Sequence, residues 1–184
     1  YRKGTTSWGL SIPWEVLISL PDNGLGIKLD TFSYPSSMKV LDYKLQGKSS
    51  QEIIINAHNC HPYQANDDIS GCAVGIKVFK ILQMLPTLNY TYRLLICPEL
   101  FGPMFWLDDH SHEAANAVGV ILLKSIGNQS NIKLQHSFNG DSMLDHVLSK
   151  AATETCSYKP DNHKFRSYYG NDETVFESPG YEIP

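Results

Sequence analysis

Three short runs along the chain are apolar at nearly every position: EIIINA (52–57), YTYRLLIC (90–97) and AVGVILLK (117–124). Runs of this length without alternation predict strands buried on both faces. Between the first two, the spacing changes to that of a helix over Ser70 to Leu85. Val74, Val78, Ile81, Leu82 and Leu85 share one face, and Pro86 stops the helix. A second helix is expected from Phe101 to about Ala115. NIKLQHSF (131–138) reads as a fourth, more polar strand, and Asp141 or Ser142 can cap a helix from Met143 to about Thr155. Upstream, IKLDTF (27–32) and MKVLDYKL (38–45) alternate imperfectly and predict a pair of strands around a turn carrying Ser33, Pro35 and Ser36. SWGLSIPWEVLISL (7–20) reads as loop with a short helix or strand, because Pro13 interrupts any long helix. The last stretch, GNDETVFESPGYEIP, reads as loop, a helical turn and the start of a strand. Strand, helix, strand, helix, strand is the order of an α/β sheet with parallel members.

Composition narrows the function classes. A chain of 184 residues, 42% of them hydrophobic, suffices for one globular domain with a core. Net charge is −4 and no basic cluster exceeds two adjacent residues, which argues against nucleic acid and anionic lipid as partners. The longest purely apolar run, AVGVILL from Ala117, is far short of a membrane span. No signal peptide opens the chain, so a cytoplasmic protein is expected. Four cysteines without a CxxC pair, three of them in apolar segments, predict reduced and mostly buried thiols.

The chemistry concentrates in HNCHPYQANDDISG, residues 58 to 71, between a predicted strand and a predicted helix. Ligands of open α/β sheets bind beyond the carboxyl ends of the strands. His58 ends EIIINA, and Glu99 lies just past the end of YTYRLLIC. Imidazole and carboxylate together suit zinc, and a free carboxylate nearby can act as a base on water. His58, Asp67 and Glu99 supply those types. Plainer roles compete: Asp67 or Asp68 can simply cap the following helix, His61 before Pro62 can brace the loop, and Cys60 can be a small buried hydrophobe. The remaining histidines, at 110, 112, 136, 146 and 163, are scattered and read as surface or core residues.

IIINAHNCHPYQANDDISG resembles the bacterial aminopeptidase-like zinc proteins that carry an M28-type peptidase fold, a family often encoded with surface-polysaccharide genes. SWGLSIPWEVL, YTYRLLICPELFGPMFWL, GDSMLDHVL and YYGNDETVFESPGYEIP resemble segments of the same family in the same order. The resemblance implies a three-layer α/β sandwich with a mixed, largely parallel central sheet flanked by helices. It implies Zn2+, one or two ions, with His58 and Asp67 as metal ligands and Glu99 as the catalytic general base; His61, in the same loop, is a further candidate ligand on residue type alone. It also implies a cis bond between Asp67 and Asp68, and places Asp172 and Glu173 where they can bind substrate.

The chain departs from the family at four places. Cys60 stands where an orienting Asp is usual, Leu100 where a second Glu follows the first, and Leu122–Lys124 where the next strand ends in an Asp ligand. A further metal-binding histidine belongs downstream of the stretch that matches the end of this chain. The chain, residues 1–184, is therefore expected to be a single α/β domain that forms an incomplete portion of an aminopeptidase-like catalytic domain. The leading expectation is a zinc-dependent hydrolase of peptide or amide bonds acting on a small peptide or amide. The alternatives are a non-catalytic binding or scaffold module and an amino-sugar deacylase. A cut sheet edge would favour homo-oligomers.

Overall fold

The computed structural model describes Gly9 and residues 11–184. The chain divides into two compact units, residues 1–36 and 37–184. In the first, Ser7, Trp8 and Leu10 of the stretch read as loop lie outside the described residues. Pro13 immediately precedes a four-residue helix, α1 (Trp14–Leu17), consistent with its fixed φ and missing N–H.

The second unit carries the α/β domain. Its main sheet has four strands, β1 (Leu41–Leu45), β2 (Glu52–His58), β3 (Thr91–Cys97) and β4 (Ala117–Leu122), in the order β1-β3-β2-β4. β2 is parallel to both neighbours, placing His58 opposite Cys97 and Asn56 opposite Leu122. β1 is the antiparallel edge, with Leu41 opposite Ile96. Every residue of β2 is buried, as its unbroken Ile-rich run requires of a central strand.

One face of the sheet (Ile55, Ala57, Leu94, Ile96) packs on Cys72 and Phe79 of α2 (Ile69–Leu82). The other (Ile54, Leu95, Cys97) packs on Trp106 and Leu107 of α3 (Phe101–Asp109). Ala114 of α4 (Ser111–Ala114) and Val175 and Phe176 of α6 (Glu173–Phe176) extend that second layer. Helices thus cover both faces of a mixed, mostly parallel sheet, the architecture expected. α5 (Met143–Thr155) begins where the sequence placed it. Its cap is Ser142, in a capping box with Asp145. At the amino end of the parallel strands, Arg93 is buried and pairs with Asp42, Glu52 and Glu113, its guanidinium 4.9 Å from the Trp106 ring centroid.

Several elements differ from expectation. Residues 27–32 form no strand, and Leu29 and Phe32 are exposed; β1 pairs with β3 instead. Alternation marks a half-buried strand but does not name its partner. The helix expected over Phe101 to Ala115 breaks at His110, whose φ of −119° ends α3 and starts α4. The fourth strand shrinks to β5 (Lys133–Gln135) and pairs in parallel with β6 (Asp161–His163), a polar strand that no pattern announced. No strand starts in the last residues; Val120 N–H donates to the Pro184 carbonyl at 2.7 Å. No helix among the described residues is long and apolar enough to cross a membrane.

Candidate active site

Three parallel strands deliver three side chains to one crevice. His58 is the last residue of β2, Glu99 lies two residues beyond β3, and Lys124 two beyond β4. The loop from His58 to α2 adds Asp67. The peptide bond between Asp67 and Asp68 is cis, as the resemblance implied. Asp68 is fully buried and serves as the brace of the site. It caps α2 by accepting from Gly71 N, and also accepts from His58 N and Ser125 N. One carboxylate thus ties together the end of β2, the start of α2 and the turn after β4. Burial raises its pKa, against the pull of those hydrogen bonds.

The acceptors in the crevice converge on the Lys124 ammonium. Nζ lies 2.9 Å from Glu99 Oε1, 3.0 Å from His58 Nε2 and 3.5 Å from Asp67 Oδ1. His58 Nε2 and Asp67 Oδ1 are themselves 3.0 Å apart. Burial disfavours the Lys124 charge, but the hydrogen bond and charge of Glu99, then of Asp67, outweigh it and raise the pKa. Burial likewise opposes ionisation of Asp67, and the Lys124 charge beside it prevails to lower its pKa.

The buried His58 ring is held from both sides. With an ammonium donating to Nε2, the ring proton resides on Nδ1, which faces Cys60 Sγ at 3.3 Å. Cys60 therefore occupies the orienting place that an acid takes in the family resembled. Gln64 Nε2 lies 3.4 Å from the same Nδ1, and Gln64 Oε1 is buried without a partner. Half a turn of that amide gives the ring proton a second acceptor. His58, Cys60 and Glu99 each offer a donor atom within 4.8 Å of the others, so a group able to ligate a metal is present.

The other residues named from the sequence sit around this centre. His61 stands at the rim, half-exposed, with Nε2 3.9 Å from Asp67 Oδ2 and Nδ1 3.1 Å from the Pro62 carbonyl. Asp172 is fully buried behind Leu100, accepting its N–H at 2.7 Å, while its Oδ2 has no partner. Burial pushes the Asp172 pKa up to about 7, and the nearby Glu99 charge adds to the shift. Glu173 accepts from Asn171 N and lies 3.8 Å from Arg166 Nε. It also lines a cavity of about 590 Å³ whose wall includes Lys124, Ser125, Tyr168 and Tyr169. Lys124 is the residue that sequence reasoning missed. It stands where the family resembled carries an acid, and its three partners are 25 to 66 residues away in the chain.

Among relatives, a Clostridium acetobutylicum protein named as a candidate polysaccharide biosynthesis protein with an aminopeptidase-like domain is 27% identical over 97% of this chain. The chain spans 40% of that relative's length. Among solved structures, a candidate peptidase from Clostridium acetobutylicum superposes with a TM-score of 0.72 at 26% identity, over 78% of this chain and 33% of that one. A glutaminyl cyclase from an Acidobacteriales bacterium shares the fold, with a TM-score of 0.65 at 18% identity, over 80% of this chain and 57% of its own. In its sheet order the domain shares the fold of these solved structures. The model of the family described as Domain of unknown function (DUF4910) matches residues 2–184, and the chain belongs to that family.

Proposed function

We propose that the chain carries the centre of an aminopeptidase-like hydrolase that cleaves peptide or amide bonds with the help of zinc. The observation that carries this reading is the convergence of His58 Nε2, Asp67 Oδ1 and Glu99 Oε1 on a single cation position at the carboxyl ends of parallel strands. One imidazole nitrogen and two carboxylate oxygens are donors that zinc accepts, and all three face a positive charge here. His58 and Asp67 would hold the ion, with His61 at the rim as a further donor. Bound there, zinc would supply a Lewis acid that polarises the scissile carbonyl.

The chain's own residues supply the rest. Glu99, partly exposed at the mouth of the crevice, takes a proton from the attacking water at a carboxylate oxygen and returns it to the leaving nitrogen. Cys60 and Gln64 fix the His58 ring so that Nε2 presents its lone pair to the centre. Glu173 lines the cavity on the substrate side, while Asp172, buried behind Leu100, holds that backbone from within. Elemental analysis of the purified chain should find about one zinc per chain, lost in His58→Ala. Glu99→Gln should abolish hydrolysis of peptide and amide substrates, with acylated amino sugars as a parallel arm because one relative is named for polysaccharide biosynthesis.

One observation favours a second reading, a non-catalytic binding module: a lysine already fills the cation position. In a binding module, Glu99→Gln leaves function unchanged, and no peptide or amide is turned over by the parent chain.

A further inference from the structure

We infer that Lys124 is a built-in cation that competes with the divalent ion for this centre, so that metal enters only when Nζ withdraws. The inference rests on the zinc-centred reading and adds a control on occupancy to it. An ammonium has three protons and no lone pair. Here its three nearest acceptors are Glu99 Oε1, His58 Nε2 and Asp67 Oδ1, at 2.9, 3.0 and 3.5 Å. These are the lone pairs a metal would use, and His58 Nε2 and Asp67 Oδ1 stand 3.0 Å apart beside the ammonium. A lysine that keeps its proton adds no ligand; it blocks the position and repels the incoming ion.

The backbone on either side of Lys124 is tied down. Leu123 N donates to the Asn56 carbonyl at 2.9 Å, and Ser125 N to Asp68 Oδ1 at 3.0 Å. Any release of the centre therefore falls to the lysine side chain. It has somewhere to go, because Lys124 lines the cavity of about 590 Å³ beside the crevice. There Glu173 and Asn171 Oδ1, which has no partner, offer alternative acceptors in the wall.

The test measures zinc affinity of the full chain by competition with a chromophoric chelator, with thermal melts to verify folding. Lys124→Met removes the charge at nearly constant length, Lys124→Gln does so with a polar group in case Lys124→Met fails to fold, and Lys124→Arg retains a cation. The neutral variants should bind zinc roughly tenfold tighter than the parent or better. Lys124→Arg should stay close to the parent, and adding His58→Ala to Lys124→Met should abolish the gain. Equal affinities in parent and neutral variants, with His58-dependent binding in both, would overturn the competition and leave the zinc centre standing. No zinc on any folded variant would overturn the zinc-centred reading itself, and this inference with it.

Discussion

Asp172 makes the stability of this domain depend on pH in a direction opposite to that of most carboxylates. It is fully buried, with one oxygen on Leu100 N and the other without a partner. Burial raises its pKa from 3.8 to about 7. In the unfolded chain the group ionises near pH 4, while in the folded chain it holds its proton until about pH 7. Between those values the folded state binds more protons than the unfolded one, so stability falls as pH rises. About three pKa units at 1.36 kcal/mol each give a loss of about 4 kcal/mol, absent at pH 4 and complete above pH 7. Asp172→Asn keeps an acceptor for Leu100 N and removes the ionisation. Urea unfolding followed by circular dichroism, with a chelator present, should show Asp172→Asn gaining on the parent by about that amount between pH 4 and pH 8. A difference between the two proteins that does not change with pH would refute the reasoning, as would one that changes in the other direction.

Other consequences follow from packing and charge. Gly102 presses the start of α3 onto the end of β3, where an added Cβ would stand 2.4 Å from Cys97 Cβ, so Gly102→Ala should cost about 1–3 kcal/mol in calorimetric unfolding. Arg93→Met should cost about 3–5 kcal/mol by chemical denaturation, because it strands the Glu52, Asp42 and Glu113 carboxylates around a buried position. Thiol titration at pH 8 should find Cys60 fast, since it is exposed, and Cys97 silent, since burial pushes its thiol up to about 12; Cys60→Ala should remove the fast phase.

Much of the domain was legible because local chemistry and buried patterning agree. The run EIIINA can only satisfy its apolar residues as a central strand, and β2 is buried throughout. Ser142 and Asp145 close a capping box, so α5 starts where local hydrogen bonding dictates. The HNCHPYQANDD stretch places His58 at a strand end and Asp68 on the helix start, both consequences of chain geometry within fourteen residues. Tertiary structure alone decided what depends on pairing between distant segments. β1 bonds to β3 rather than to residues 27–32, and β6 exists only because β5 lies beside it. The convergence of Glu99, 41 residues from His58, and Lys124, 66 residues from it, follows from the parallel register of β3, β2 and β4. No local signal states that a lysine will meet three acceptors at one point, because the field that holds it there is made by residues brought together only when the sheet forms.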